Sequence, residues 1–191
     1  TKGTGILMIT LSAGQIAKVI DAEIFGDDNT LCSGSVETDS RLCKAGSLFV
    51  AKPGEITDGH LYIPNAMANG AVIAIVERKV DEPIVQLLVK DVVVALGQLA
   101  KFVVQEVRSL GHLKVVGVTG SNGKTTTIKM VESIFNSAKV NGVACGNVGQ
   151  TVISSVCSDQ PFEYLAIELS SFQIQWSELP KYQSVAILNI A

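Results

Sequence analysis

Residues 115–127, VVGVTGSNGKTTT, combine the residue types of a phosphate-binding loop. Glycines recur every third residue, and Lys124 and Thr125 follow the last of them directly. Glycine permits positive φ and lets backbone N–H groups approach an anion, and the first turn of a following helix adds unpaired N–H donors. Lys124 would reach the terminal phosphates as the catalytic cation, and the Thr125 hydroxyl would bind magnesium. The residues expected to bind phosphates are Gly120, Ser121, Asn122, Gly123, Lys124, Thr125 and Thr126.

The spacing departs from the strict form of this motif, G-x-x-x-x-G-K-[ST], which has a glycine where this chain has Val118. An ordinary glycine-rich turn between a strand and a helix is the competing interpretation. The apolar run of residues 113–118 shortly before Gly-Lys-Thr favours the phosphate site, because ordinary turns rarely combine such a run with this sequence.

A carboxylate, Glu168, ends the apolar stretch of residues 164–167. If this stretch is a strand next to the one before the loop, its carboxyl end is where nucleotide sites place a carboxylate for magnesium. We therefore expect Thr125 and Glu168 to hold a magnesium ion. Without the loop, a plain strand-end carboxylate would be the better interpretation.

Apolar periodicity predicts the elements that position these residues. Hydrophobic residues make up 47% of the chain and aromatic residues only 5%, so the core is aliphatic and suits a parallel sheet covered on both faces. Residues 124–137 are expected to form a helix that buries Met130, Ile134 and Phe135. The expected buried strands of this half are residues 143–145, 164–167 and 185–190.

The N-terminal half has its own helix signals. Ser12 and Gln15 form a capping-box pattern for a short helix. Asp91 precedes a helical pattern over residues 91–110, whose apolar set includes Val93 and Val94. Strands are expected over residues 47–51, 71–76 and 84–89, and a further helix over residues 61–69.

Gly111 ends the long helix, which makes residues 111–112 the expected domain boundary. We therefore predict an N-terminal domain of residues 8–111 and a nucleotide-binding part of residues 112–191. Residues 1–7 show neither periodicity nor a cap signal and are expected to be a cloning remnant before a native start at Met8.

Two polar loops of the N-terminal half could hold a polar ligand. Thr38, Asp39, Ser40 and Arg41 offer short hydroxyl and carboxylate side chains beside an arginine. Taken alone, such a run is more often a solvated turn. Residues 52–60 form the second loop, before the predicted helix. His60, its last residue, is either a packed helix-start residue or a ligand residue, and the sequence leaves both open.

Composition excludes several classes of function. The net charge of −3 with no basic cluster argues against a nucleic-acid surface. No apolar run is long enough to cross a bilayer, so the expected compartment is the cytoplasm, without membrane insertion. The four cysteines are too widely spaced for a Cys-x-x-Cys metal or redox site and are expected to be reduced. We expect a monomer.

The segment TGSNGKTTT resembles the nucleotide motif of the Mur ligases, ATP-dependent enzymes that add amino acids or a dipeptide to a UDP-linked muramyl precursor of peptidoglycan. The family uses Gly-x-x-Gly-x-x-Gly-Lys, which accounts for Val118. The resemblance implies an α/β fold: a small α/β N-terminal UDP-binding domain, followed by part of a P-loop, mostly parallel-sheet central domain.

Two branches of the family share the resemblance. Residues 38–41, 46–51, 58–60 and 95–100 are similar to the members that add D-alanyl-D-alanine. The diaminopimelate- or lysine-adding members fit residues 58–60 less well. Residues 146–149, 168–173 and 188–191 are instead similar to the D-glutamate-adding members. A natural fusion and a divergent member both fit this pattern, and the added group stays open.

The resemblance implies ATP and Mg2+ as cofactors, and a UDP-MurNAc-peptide and an amino acid or dipeptide as substrates joined through an acyl phosphate. Family members continue past this sequence with further active-site residues, so we expect the chain as given to fold and to bind nucleotide weakly without catalysing. A non-catalytic nucleotide-binding module is the alternative. A generic P-loop NTPase or kinase would leave the N-terminal loops unexplained. The residues implied to contact the UDP-precursor are Thr38, Asp39, Ser40, Arg41, Glu55, Ile56, Thr57, Asn147 and Gln173.

Overall fold

The computed structural model describes residues 10–54, 57–109, 111, 113–157, 162–175 and 181–189, without the side chains of Phe172 and Gln175. The described residues form two compact units, and the chain passes from the first to the second between Val104 and Gln105. Each unit has its own sheet. The predicted division at residues 111–112 stays a prediction, and residues 1–7 lie outside the described part.

The first unit is built on a mixed five-stranded sheet in the order β2-β7-β6-β5-β4. Strand β2 pairs with β7 in antiparallel orientation, and the other neighbours are parallel. A separate antiparallel pair joins β1 to β3. The elements are β1 Leu11–Ser12, α1 Ala13–Ile20, β2 Glu23–Phe25, β3 Leu31–Cys32, β4 Val36–Glu37, β5 Ser47–Val50, α2 Ile63–Ala68, β6 Ala71–Val76, β7 Val85–Leu88 and α3 Val92–Ser109, with 3-10 turns at Ser40–Leu42 and Gly59–Tyr62.

Both predicted helix caps are present in the first unit. The Ser12 hydroxyl accepts the Gln15 N–H, and the Gln15 side chain accepts the Ser12 N–H, which completes the capping box of α1. The Asp91 carboxylate accepts the N–H groups of Val93 and Val94 at the start of α3. These bonds satisfy donors that a helix leaves unpaired at its N-terminus.

The first turns of α3 bury only part of the apolar set that defined the helical pattern. Val93 and Val94 belong to that set but are 55% and 57% exposed. The helix buries Val92, Ala95 and other residues at three- and four-residue spacing. Three successive valines cannot all face one side of a helix, and periodicity alone did not show which of them would be buried.

The second unit has a fully parallel four-stranded sheet in the order β11-β8-β10-β9. The predicted fold class is therefore confirmed: mixed α/β units, of which the second is a parallel sheet with a strand–loop–helix phosphate motif. The elements are β8 Lys114–Thr119, α4 Lys124–Ser137, β9 Gly142–Gly146, α5 Val152–Val156, β10 Tyr164–Glu168, α6 Ser171–Gln175 and β11 Ser184–Ile187.

Two burial predictions for the second unit were wrong. Met130 and Ile134 are 60% and 62% exposed, although Phe135 is buried as expected. Strand β11 has the predicted parallel direction, but Val185 and Ile187 are 55% and 62% exposed. Among the described strands β11 lies at the sheet edge, where one side of the strand lacks a neighbour.

None of the described helices combines the length and the apolar character needed to cross a membrane.

Candidate nucleotide and metal site

The glycine-rich loop connects the end of β8 to the start of α4 in the second unit. Gly120 and Gly123 have φ angles of +136° and +80°, which side chains rarely adopt. Gly123 is also the residue before the first turn of α4. The N–H groups of that first turn have no partner within the helix, so they form a donor set suited to an anion.

The Lys124 side chain lies across this loop. Its ammonium donates to the carbonyl oxygens of Gly120 and Ser121 at 2.7 and 3.3 Å. Both acceptors are neutral, and a charged phosphate oxygen is a stronger partner for an ammonium group. The lysine is thus held at the loop in a position from which it can turn to an incoming phosphate.

Glu168 lies at the carboxyl end of β10, next to the strand that leads into the loop. The parallel register pairs Glu168 with Val118. The Thr125 hydroxyl donates to the two carboxylate oxygens of Glu168 at 3.1 and 3.3 Å. The two residues predicted to hold magnesium are therefore brought together.

The Thr125 and Glu168 pair has the donor chemistry of a magnesium site. Glu168 is only 2% exposed, and a buried carboxylate is costly without a compensating charge. In the described part of the chain no three His, Cys, Asp or Glu side chains come together as a metal cage. Magnesium fits this arrangement, because it usually takes one or two protein oxygens and completes its shell with water and phosphate oxygens.

Asn147 directly follows β9, and Gln173 lies in α6 just after β10, so both follow the carboxyl ends of neighbouring parallel strands. The Asn147 N–H donates to the carbonyl of Glu168 at 3.1 Å, and its side chain is exposed. Gln173 and Ser170 cap α6: the Gln173 side chain accepts the Ser170 N–H at 2.8 Å, and the Ser170 hydroxyl accepts the Gln173 N–H at 3.2 Å. The spacing Ser-x-x-Gln is itself a capping signal, which sequence reasoning missed here.

The polar run in the first unit is partly paired with itself. Asp39 accepts the Arg41 Nε–H and Nη2–H at 2.9 and 2.6 Å, and these bonds lower the pKa of Asp39 to about 2. Ser40 is buried, and its carbonyl accepts the Asn69 side-chain amide at 2.9 Å. Thr38 is exposed.

The second predicted precursor loop is only partly described. Glu55 and Ile56 lie outside the described residues. Thr57 is exposed, and its carbonyl accepts the Gly54 N–H at 2.9 Å. The assignment of these loops to a ligand stays a prediction.

His60 is a packed structural residue. Its Nε2 accepts the Glu77 backbone N–H at 3.0 Å, which leaves the ring proton on Nδ1, 2.6 Å from the Asp58 carboxylate. Asp58 is also bonded by the Arg78 guanidinium. Because the side chain is buried and both ring nitrogens are engaged, the open question about His60 is answered in favour of packing.

Comparison with known proteins relates each unit to one family. Residues 34–105 match the Mur ligase family catalytic domain, and residues 118–191 match the Mur ligase middle domain. The UDP-N-acetylmuramoyl-tripeptide–D-alanyl-D-alanine ligase of Escherichia coli (strain K12) is 32% identical over 191 residues, which cover 96% of this chain and 41% of that protein. The chain belongs to the Mur ligase family. The resemblance predicted from the sequence is thus confirmed.

Other Mur ligases are similar to parts of the chain. The UDP-N-acetylmuramoylalanine–D-glutamate ligase of Rhodococcus jostii (strain RHA1) is 48% identical over 75 residues, 39% of this chain and 15% of that protein. A crystal structure of the MurF ligase of Thermotoga maritima in complex with ADP has a TM-score of 0.55 and 31% identity, over 73% of this chain and 33% of that one. The chain spans about two fifths of the Escherichia coli relative.

Sequence reasoning missed one residue that contacts the glycine-rich loop. Asn189 follows β11, and its side-chain oxygen accepts the Asn122 N–H at 2.8 Å. Its carbonyl accepts the Ser121 N–H at 3.2 Å. The available signal was an asparagine placed directly after an apolar strand, which in a parallel sheet lies at the same edge as the phosphate loop.

Proposed function

We propose that this chain is the nucleotide- and precursor-binding part of an ATP-dependent ligase of peptidoglycan synthesis that adds D-alanyl-D-alanine to a UDP-MurNAc-peptide. The observation that carries the proposal is the pairing of Thr125 with the buried Glu168 beside the Lys124 loop. The family and the Escherichia coli relative supply the reaction. The proposed location is the cytoplasm, and the proposed state is a monomer.

The proposed reaction forms an amide bond at the expense of ATP. A carboxylate oxygen of the precursor attacks the γ-phosphorus, ADP leaves, and an acyl phosphate results. The amine of the dipeptide then attacks the acyl carbon, inorganic phosphate leaves with that oxygen, and the nitrogen loses a proton. Phosphoryl transfer needs mainly positioning and charge stabilisation from the protein.

The second unit supplies groups for that task. Lys124 would move from the carbonyls of Gly120 and Ser121 to the terminal phosphates and neutralise charge on the transferring group. Thr125 and Glu168 would hold Mg2+, whose positive charge would offset the negative charge of the phosphates. The remaining phosphate contacts would come from residues 120–126, with the N–H groups of the first turn of α4 as the main backbone donors.

Precursor binding is assigned to the polar loops. Arg41 is 82% exposed at its side chain, so it can leave Asp39 for a diphosphate at little desolvation cost. The backbone N–H of Asn147 bonds the backbone carbonyl of Glu168, so the exposed amide side chain of Asn147 would be available to a ligand near the end of β10. The proposed precursor contacts are Thr38, Asp39, Ser40, Arg41, Glu55, Ile56, Thr57, Asn147 and Gln173.

D-glutamate addition is the second candidate, because the Rhodococcus jostii relative with that name is 48% identical over 75 residues. A non-catalytic module that keeps the loop is a candidate of another class. Both candidates would bind ATP at the same phosphate site. They differ from the leading proposal in which precursor, if any, the chain binds.

Titration calorimetry of the chain tests the proposal. Mg-ATP should bind the parent, and Lys124→Ala should lose at least about tenfold in affinity through the lost charge-assisted contact. Lys129→Ala, an exposed lysine on the same helix, is the matched control and should bind as the parent does. Equal affinities for Lys124→Ala and the control would contradict the phosphate role.

A second titration assigns the reaction. UDP-MurNAc-tripeptide should bind more tightly than UDP-MurNAc-alanine if D-alanyl-D-alanine is the added group. Preference for the alanyl form would favour D-glutamate addition. Binding of ATP with no binding of either precursor would favour the non-catalytic module.

A further inference from the structure

Asn189 attaches the start of the phosphate loop to the end of β11. Its side-chain oxygen accepts the Asn122 N–H at 2.8 Å, and its carbonyl accepts the Ser121 N–H at 3.2 Å. One residue earlier, the Leu188 N–H donates to the Thr119 carbonyl at 3.0 Å. The pairing of β11 with β8 therefore continues past both strands and into the loop.

Gly120 brings the two segments close together. A Cβ on Gly120 would lie 3.0 Å from the Asn189 nitrogen and 3.2 Å from both of its oxygens. These distances are tighter than normal carbon contacts, so this approach requires glycine at residue 120 as well as its φ of +136°. Asn189 and the loop thus fit against each other along their backbones as well as through a side chain.

The bonds divide the loop's N–H groups into two sets. Those of Ser121 and Asn122 are directed at Asn189. Those of the first turn of α4, together with the Lys124 ammonium, are the donors left to converge on an anion. The hydrogen bond to Asn189 fixes the direction of the Asn122 N–H, and because a peptide group is planar, it also fixes the Ser121–Asn122 peptide plane. This peptide lies just before the first turn of α4.

We propose that Asn189 is a positioning residue of the nucleotide site: its side-chain oxygen holds the Asn122 amide, and so sets the loop for phosphate binding by Lys124 and the first turn of α4. The proposal rests on the function proposed above. It also separates the N–H groups of Ser121 and Asn122, which orient the loop, from those that contact phosphate.

The amide side chain suits this role for an electrostatic reason. Its oxygen is a good acceptor, yet it carries no net charge. An aspartate would accept the same N–H but place a negative charge beside the proposed phosphate site. Its repulsion of the phosphates of a nucleoside triphosphate would disfavour binding. Asparagine gives the hydrogen bond without the repulsion.

The test uses the chain with Asn189→Ala and Asn189→Asp, and with Asn136→Ala as a control at an exposed asparagine of α4. Hydrogen exchange of the Asn122 amide is followed by NMR without nucleotide, and Mg-ATP affinity is measured by calorimetry. A single side chain–backbone hydrogen bond corresponds to about a three- to tenfold change in an equilibrium constant. Asn189→Ala should therefore speed Asn122 exchange and weaken Mg-ATP binding by that factor, at an unchanged thermal midpoint.

Asn189→Asp separates positioning from a general structural role. It should keep the Asn122 amide protected, yet weaken Mg-ATP binding through its charge, and added salt should relieve that loss. Unchanged Asn122 exchange and Mg-ATP affinity in Asn189→Ala would overturn the proposal. So would faster exchange throughout β8 and β11 with a lower thermal midpoint, since that pattern reports loss of the strand edge.

The proposed function can fail separately. If the parent chain binds no Mg-ATP, the nucleotide function is contradicted, and the positioning role for phosphate fails with it. In that case the exchange of Asn122 still decides whether the Asn189 side chain holds the loop.

Discussion

The Thr125 hydroxyl lies 3.1 and 3.3 Å from the two carboxylate oxygens of Glu168, although 43 residues separate them in the chain. The parallel register of β10 with β8 makes this possible, because it places Glu168 beside Val118 and therefore beside the loop. A hydroxyl donor partly satisfies the buried carboxylate but brings no positive charge. A bound cation would supply the missing positive charge.

Removal of the Thr125 hydroxyl should weaken nucleotide binding only when magnesium is present. Thr125→Val keeps the shape and deletes the oxygen, and the loss should be about tenfold, or ~1.4 kcal/mol. Calorimetry with ATP in magnesium and in EDTA measures it. Thr127→Val, one residue beyond the predicted phosphate contacts, is the control. An equal loss in EDTA would show that the hydroxyl acts on the nucleotide or the loop instead of on a metal.

Glu168→Gln should have opposite effects on stability and on binding. A buried carboxylate without a compensating charge is costly, and Gln has nearly the same shape and keeps an acceptor for the Thr125 hydroxyl, so urea denaturation without ligand should show no loss. Binding of Mg-ATP should fall at least about tenfold. Glu163→Gln, an exposed carboxylate just before β10, should change neither quantity. A marked loss of stability in Glu168→Gln would instead make the carboxylate a structural acceptor.

Local chemistry made the centre of the site predictable. The Gly-Lys-Thr sequence after an apolar run predicts a strand, a loop and a helix, and α4 starts at Lys124 as expected. Glu168 was predictable because a parallel sheet brings the carboxyl ends of neighbouring strands to one edge. In both cases short-range pattern and a general rule of topology sufficed.

Other features depend on neighbours that are distant in the sequence. The exposure of Val185 and Ile187 depends on where β11 lies in the sheet. The sequence of an apolar strand does not show whether the strand lies at the edge or at the centre. The role of Asn189 depends on contact with a loop 67 residues away. The pairing of Asp39 with Arg41 is local. The spacing of the two residues does not show whether they bind a ligand or only form an ion pair with each other.

The Asp58 carboxyl should make the first unit sensitive to acid. Its pKa is lowered, first by the His60 backbone N–H, then by the His60 ring and the Arg78 guanidinium. A lowered folded-state pKa adds stability that is complete above the unfolded-state pKa of about 4 and is lost as pH falls through the folded value. Urea denaturation from pH 7 downward should therefore show a stability gap between the parent and Asp58→Asn that narrows with acid.

Arg78→Met tests how much of the acid dependence of stability comes from Arg78 and how much from His60. Because the His60 N–H is the leading cause of the lowered Asp58 pKa, this variant should keep most of the acid dependence of the parent. A gap between parent and Asp58→Asn that stays constant with pH would contradict the role of the ionised carboxylate. Loss of all acid dependence in Arg78→Met would assign that role to the arginine alone.

His60→Leu should destabilise the first unit through lost hydrogen bonds rather than lost packing. Leucine fills a similar volume, but the Glu77 N–H loses its acceptor and Asp58 loses the ring donor, at a cost of about 2–3 kcal/mol. Urea denaturation followed by far-UV circular dichroism measures it. Leu61→Ala, the neighbouring side chain at 72% exposure, should cost no more than about 0.5 kcal/mol. Equal stabilities for the two variants would mean that the buried histidine network contributes nothing, since only His60 lies within it.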